Sequence, residues 1–233
     1  MNSRLSWEVN VLATHKLVES AVKNKVKQFI FASSGSVYGV KEENEVTEDL
    51  PLVPISTYNK TKMIAERILK SYENDIKFHC IRPATVCGFS PRMRLDVSVN
   101  VFAFQALKFK LMSVFGGEQI RPNIHIQDLI NVYKHFIINS DLPGGFYNAG
   151  FENLKIIEIA QKVAKIIPSK IAIKENSDPR SYRQNSDKLL STGFKQKFTV
   201  DDAIKDLKNN YESKKFTESN KCYTVKWMKE LNL

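Results

Sequence analysis

Cysteine, glycine and long apolar runs are all scarce in this chain, and each scarcity excludes something. The three cysteines, Cys80, Cys87 and Cys222, are odd in number and irregularly spaced, so no disulfide framework is expected. No stretch approaches the roughly 18 apolar residues of a membrane span. The residues after Met1 are polar and mixed, without the apolar run of a signal peptide. These absences predict a soluble cytoplasmic protein with no membrane partner. Acidic residues are the minority: 25 Asp and Glu stand against 35 Lys and Arg, a formal charge of +10. The lysines are scattered, as at Lys23, Lys25 and Lys27 or at Lys205 and Lys208, and no aromatic-interleaved basic stripe accompanies them. Nucleic acid is therefore not an expected partner, and the charge reads as a solvated surface. A lone His125-x-x-Asp128 pair is too weak a pattern for a metal, so none is expected.

The nine glycines carry a second exclusion. They stand at 35, 39, 88, 116, 117, 144, 145, 150 and 193, and no spacing among them gives a G-x-x-G-x-x-G or G-x-G-x-x-G turn after a strand. Such a turn is what lets backbone amides and a helix N-terminus approach a pyrophosphate.

What is present is an ordinary globular composition, 42% hydrophobic and 10% aromatic. Leu5, Val9, Leu12, Leu17, Val18 and Val22 recur at helical spacing over 4–24. Gln28 to Ala32 is a short apolar run, read as a buried strand ending in Ser33, Ser34, Gly35 and Ser36. Residues 40–57, punctuated by Pro51 and Pro54, read as a loop. A helix is expected from Tyr58 to about Tyr72, with Met63, Ile64, Ile68 and Leu69 on its apolar side. A strand at 78–81 is stopped by Arg82-Pro83. This alternation predicts a parallel sheet with crossover helices. Further on come helices over 97–108, 156–166 and 200–211, strands at 113–115 and 145–149, and an extended segment at 122–126. A helix follows from Gln127, with Asp128 capping its first turn. Residues 212–233 read as a charged tail with one weak helix.

Tyr58 and Lys62 are four apart where a helix begins, so they share one face. A phenol with an ordinary pKa of about 10 must fall to about 7 to act as a base, a change worth about 4 kcal/mol. An ammonium about 5 Å away supplies about 3 kcal/mol of that at an effective dielectric near 20. A serine hydroxyl at a neighbouring strand end could hold a substrate oxygen and relay its proton, and strand ends of open α/β sheets are where ligands bind.

The pieces W-E-V-N-V-L-A-T (7–14), K-Q-F-I-F-A-S-S-G-S-V-Y-G (27–39), S-T-Y-N-K-T-K (56–62) and I-R-P-A-T-V-C-G (81–88) carry a resemblance. So do F-G-G-E-Q-I-R-P-N-I-H-I-Q-D (115–128), G-F-Y-N-A-G (145–150) and D-P-R-S-Y-R (178–183). In order and spacing they resemble the extended short-chain dehydrogenase/reductases, the NAD-dependent nucleotide-sugar epimerases and dehydratases. The resemblance implies an α/β fold: a partial Rossmann-like parallel sheet with crossover helices plus a small mixed substrate-binding region. Residues 1–88 would be the catalytic half of the NAD-binding domain and 89–210 the nucleotide-sugar region, with 131–150 returning to the sheet and 211–233 as a tail.

It also implies roles. Tyr58 matches the catalytic base, Lys62 the residue that holds the nicotinamide ribose and acidifies the phenol, and Ser34 the hydroxyl on the substrate's reacting oxygen. Ser33 and Pro83 fall beside the cofactor, Ser36 beside the substrate, and Asn10 at a position supporting the site. Thr85, Asn100 and Arg121 match positions lining the sugar-nucleotide pocket, and Arg180 or Arg183 would reach the diphosphate, which suits a bidentate guanidinium. His125 and Asp128 are expected to be structural, as a buried hydrogen bond and a helix cap, and Cys87 to be packing. Members that eliminate water carry an Asp-Glu pair just after the residue matching Ser34. Here Gly35 and Ser36 stand there, which favours epimerisation or 4-keto reduction over dehydration.

The family's glycine-rich turn opens its chains, so this sequence resembles a truncated member expected to bind NAD weakly by itself. NADP stays open because the discriminating residue lies in that part. The implied partners are a nucleotide-diphosphate sugar and a second copy, paired through helices 4–24 and 58–72. The competing reading is a non-catalytic remnant that binds a sugar nucleotide.

Overall fold

A computed structural model describes residues 2–175 and 181–231; Arg180 lies outside the described residues. The first helical stretch is interrupted. An α-helix, α1 (Ser3–Trp7), passes into a π-helical turn at Glu8–Leu12 and then into α2 (Ala13–Lys23). The strand β1 (Gln28–Ala32) follows, then a 3-10 turn at Gly35–Tyr38 and helix α3 (Thr57–Ser71). Next is β2 (Lys77–Pro83). It runs on through Arg82 and Pro83, where the sequence suggested a stop. Pro83 is tolerated because it is the strand's last residue, where one missing N–H costs least.

After β3 (Thr85–Cys87) come α4 (Ser98–Phe109), β4 (Leu111–Phe115), β5 (Ile120–His125) and α5 (Ile126–Ile138). The strands β6 (Gly145–Ala149) and β7 (Glu152–Lys155) precede α6 (Ile156–Ile166) and β8 (Lys170–Lys174). The chain continues through α7 (Asp187–Leu190), α8 (Val200–Glu212) and α9 (Thr224–Glu230). The short elements β7, β8 and α7 carry too few residues for a periodicity and were not visible in the sequence.

The strands β1, β2 and β6 form a parallel sheet with β2 in the middle. Side chains alternate along β2. Phe78 and Cys80 enter a cluster with Val18 and Leu69 under α2 and α3, while Ile81 joins Val132, Phe136 and Tyr147 under α5. Helices thus cover both faces, as a parallel sheet requires. A larger core gathers α4, α6 and α8 around Phe102, Ile159 and Ile204, and Cys87 and Cys222 are both packed within it. Between them β3 and β5 pair in parallel and β5 and β7 antiparallel, and β4 pairs with β8 in parallel. No described helix is long and apolar enough to cross a membrane.

Helix α3 departs from its expected apolar side. Leu69 is buried, but Met63, Ile64 and Ile68 are only partly so, and the other fully buried residues are Asn59, Thr61, Ala65 and Glu66. A buried polar face needs partners, and it finds them in the site. At the start of α5 two roles are exchanged. His125 is the cap, its Nδ1 accepting from Gln127 N at 3.1 Å. Asp128 is fully buried and accepts instead from the backbone N–H groups of Lys197 and Phe198, the latter at 2.9 Å, tying the chain before α8 to α5.

Candidate active site

The C-terminal end of β1 turns sharply through Ser33 and Ser34, and the turn is fastened to α3 by hydroxyls. The Ser34 Oγ accepts from Ser36 N at 3.2 Å and lies 2.7 Å from Ser36 Oγ, which donates to Asn59 Oδ1 at 2.8 Å. Asn59 in turn donates its N–H to Ser56 Oγ at 3.2 Å, the cap that starts α3. Tyr58 therefore projects from a first turn held at both ends. Its half-buried phenol stands beside the Ser34 side chain, close enough for Ser34 to favour the ionised form.

One turn along, the Lys62 Nζ donates to Ala32 O at 2.9 Å. It lies 4.9 Å from the centre of the Phe31 ring and 5.9 Å from that of Tyr58. From the other side, Asn10 in the π-helical turn donates to Thr61 Oγ1 at 3.0 Å, and Thr61 donates to Tyr58 O at 2.9 Å. Such π-turns recur at functional positions, and this one aims Asn10 at the helix that carries Tyr58.

Beneath the turn lies a buried ionic network. The Glu66 carboxylate takes two bonds from Arg82, Nε to Oε1 at 3.0 Å and Nη2 to Oε2 at 2.7 Å, and one from Ser33 Oγ at 2.5 Å. Arg82 also donates to Tyr38 OH at 2.7 Å, and Tyr38 donates to Asn148 Oδ1 at 2.9 Å. Three separate elements, the serine turn, α3 and the end of β2, are thereby locked together at the site.

The phenol behaves differently from the sequence expectation. Burial pushes the Tyr58 pKa up, opposed by the charge of Arg94 and the neighbouring Ser34 hydroxyl, and Lys62 is not among the causes. Burial likewise pushes the Lys62 ammonium down. The correction has a physical reason: Lys62 is drawn to the Ala32 carbonyl, so its field reaches the phenol oxygen only weakly, while desolvation acts at full strength. A difference titration of the wild-type chain against Tyr58→Phe, followed by phenolate absorbance, should therefore find this phenol ionising above about 10. The raised pKa favours the neutral form, so any stability it contributes is present below the unfolded value and is lost as pH rises through the folded one. A phenol ionising below its ordinary value would contradict this account.

The remaining sequence candidates are dispersed. Pro83 and Thr85 flank the end of β2, and Pro83 O lies 3.2 Å from where a Cβ on Gly35 would stand. Asn100 is buried. Its Oδ1 accepts from Gly88 N at 3.0 Å and its Nδ2 donates to Arg94 O at 2.9 Å, so it holds the loop that carries Arg94. Arg121 is half-buried on β5, with Nη1 donating to Ile120 O at 3.2 Å. Arg183 is exposed and lines a groove whose described lining includes none of Ser34, Tyr58 and Lys62. Sequence reasoning missed Glu66, Arg82, Tyr38, Asn59, Thr61 and Arg94. Arg82 carried a signal, because a charge inside an otherwise apolar strand demands a buried partner.

Comparison with known proteins places the chain in a family. Residues 2–150 match the NAD dependent epimerase/dehydratase family. The UDP-glucose 4-epimerase of Lactobacillus helveticus is 30% identical over 85% of this chain and 68% of its own length. The mouse dTDP-D-glucose 4,6-dehydratase is 26% identical over 84% of this chain and 59% of its own length. The chain thus spans about two thirds or less of the length of these relatives. In fold, it superposes on the UDP-glucose 4-epimerase of Thermus thermophilus, solved with NAD, with a TM-score of 0.73 and 24% identity. That match covers 87% of this chain and 70% of the other. A serine turn at a strand end, a Tyr-x-x-x-Lys helix against it and a family match running from residue 2 to the end of β6 agree: the chain belongs to the NAD dependent epimerase/dehydratase family.

Proposed function

We propose that this chain binds a nucleotide-diphosphate sugar and handles the proton of one sugar hydroxyl during epimerisation or 4-keto reduction. The observation that carries the reading is the Tyr58 phenol standing beside the Ser34 side chain at the end of β1, with the Lys62 ammonium 5.9 Å from the phenol ring. In this reading Ser34 holds the sugar oxygen and Tyr58 takes or returns its proton. Asn10 and Thr61 keep the phenol's turn in place.

NAD is the cofactor the family implies, and the residues fit its nicotinamide end: Tyr58 and Lys62 present a hydroxyl and an ammonium at an open strand end, beside Ser33 and Pro83. When bound, NAD would supply the hydride acceptor. Lys62 would donate to the ribose hydroxyls, exchanging its bond to Ala32 O. Dehydration is disfavoured because Gly35 and Ser36 supply no carboxylate beside Ser34, and a side chain at 35 would need Gln184 and Pro83 O, 3.0 and 3.2 Å from its Cβ, to give way. A second copy would pack on the α1–α2 stretch, where Val9, Leu12 and Leu17 are each more than half exposed.

A second reading, a sugar-nucleotide binder without turnover, is favoured by the raised phenol pKa. Calorimetry with UDP-glucose and dTDP-glucose, with and without NAD, tests both. Saturable binding of either sugar nucleotide is expected, with conversion to another sugar nucleotide in the NAD arm. Binding without conversion would establish the second reading, and no binding to either would overturn both.

A further inference from the structure

The hydroxyls that fasten the serine turn to α3 also have a direction. We propose that Asn59 is a positioning residue: its carboxamide sets which way the hydrogen bonds run through Ser36 to Ser34, and so whether Ser34 meets a ligand oxygen as acceptor or as donor. The proposal rests on the roles given above to Ser34 and Tyr58.

A serine hydroxyl has one proton to donate and two lone pairs. Ser36 Oγ donates its proton to Asn59 Oδ1 at 2.8 Å. In the 2.7 Å pair between Ser34 Oγ and Ser36 Oγ, the donor must therefore be Ser34. Ser34 Oγ also accepts from Ser36 N at 3.2 Å. Its proton and one lone pair are thus engaged, and it meets a ligand with one lone pair, as an acceptor. That suits a sugar hydroxyl, which brings its own proton. It does not suit the keto oxygen that oxidation makes of that hydroxyl, because a carbonyl only accepts.

The same groups have a second consistent arrangement. The oxygen and nitrogen of a carboxamide are alike in shape, and one ends as an acceptor where the other ends as a donor. The bond from Ser36 is the one bond at the Asn59 carboxamide among the described residues, so no other bond opposes a half-turn. After it, Nδ2 donates to Ser36 Oγ, Ser36 turns its proton to Ser34, and Ser34 turns its own outward. Every proton stays on its atom, and the number of bonds in the relay is unchanged. A ligand oxygen then selects the arrangement that matches it. Asn59 is placed for this role. It is 6% exposed, so water does not readily replace its bond, and its backbone N–H is fixed by Ser56 Oγ, 3.2 Å away, in the turn that carries Tyr58.

Tyr58 reports on the relay without cofactor or turnover. A hydroxyl favours a phenolate only by donating to it, so ionising Tyr58 draws the Ser34 proton away from Ser36. The test follows phenolate absorbance against pH in the whole chain, each variant being compared with the same variant carrying Tyr58→Phe. Ser36→Ala leaves the Ser34 proton without its acceptor, and Asn59→Leu turns the Ser36 proton toward Ser34. Each should raise the acid dissociation constant of Tyr58 about tenfold, the worth of roughly one hydrogen bond to a charged group. The two together should do no more than one alone, because they act on one relay. Packing loosened enough to admit water would act in the same direction, so both variants are repeated with Ser34→Ala. There each effect should shrink to within about twofold, since the Ser34 proton transmits it. Effects that persist in the Ser34→Ala chain, or a Tyr58 ionisation unchanged by Ser36→Ala, would overturn the proposal. Should Asn59→Leu fail to fold, the Ser36→Ala cycle decides. None of these readings involves conversion of a sugar nucleotide, so the proposed function and the relay can fail separately.

Discussion

Glu66→Ala is expected to destabilise the fold by about 3–5 kcal/mol, the cost of leaving one member of a buried ion pair unpaired. The Glu66 and Arg82 side chains are 2% and 4% exposed, so neither charge can turn to water. Removing the carboxylate strips Arg82 of two bonds and Ser33 of one, leaving the guanidinium only Tyr38 OH and Glu48 O. Burial alone would lower the arginine's pKa. Its bonds to Glu66 reverse the direction, so the pair exists by mutual compensation. Two further variants separate the contributions. Glu66→Gln keeps hydrogen-bonding capacity but loses the charge, and should fall between wild type and alanine. Glu66→Ala combined with Arg82→Met removes both charges, and should recover part of the loss because no ion is stranded. Urea unfolding of the three variants measures this. A loss below about 1 kcal/mol for Glu66→Ala would mean that water reaches Arg82 and the network is not closed.

Tyr58→Phe should reduce sugar-nucleotide conversion by about 10²–10⁴-fold, the usual contribution of a positioned proton-transfer group. Its effect on stability should be small, since the ring remains and only the half-buried hydroxyl beside Ser34 is lost. Binding of UDP-glucose by calorimetry should survive, which separates a catalytic from a binding defect. Ser34→Ala should have the same sense with a smaller loss, because Ser36 Oγ lies 2.7 Å from Ser34 Oγ and can take part of its role. Because the phenol is pushed up in the cofactor-free chain, wild-type conversion should also rise with pH through the neutral range, as more of the ionised base forms. A Tyr58→Phe chain converting within about threefold of wild type would remove Tyr58 from the mechanism.

Several parts of this site were legible in the residues alone. Gln28 to Ala32 read best as a strand ending in small residues, and a tyrosine and lysine four apart on a helix share a face. Other parts were not. The polar residues Asn59, Thr61 and Glu66 on α3 looked like its solvent side, because an apolar stripe of Met63, Ile64 and Ile68 competed for the inward one. His125 and Asp128 both read as structural, yet which one capped α5 depended on Lys197 and Phe198, some 70 residues away. The expected acidification of Tyr58 rested on spacing, and spacing cannot show that a nearer carbonyl claims the ammonium.

The sequence by itself determined the local elements, the order of the motifs and the family, because periodicity, turn chemistry and residue spacing are properties of neighbours in the chain. Tertiary structure alone decided which polar groups are buried, that Arg82 meets Glu66, which way the phenol's pKa moves, and that Ser36 donates to Asn59. Those outcomes depend on desolvation and on pairings between distant segments. Both are set only when β1, β2 and α3 close over one another and exclude water.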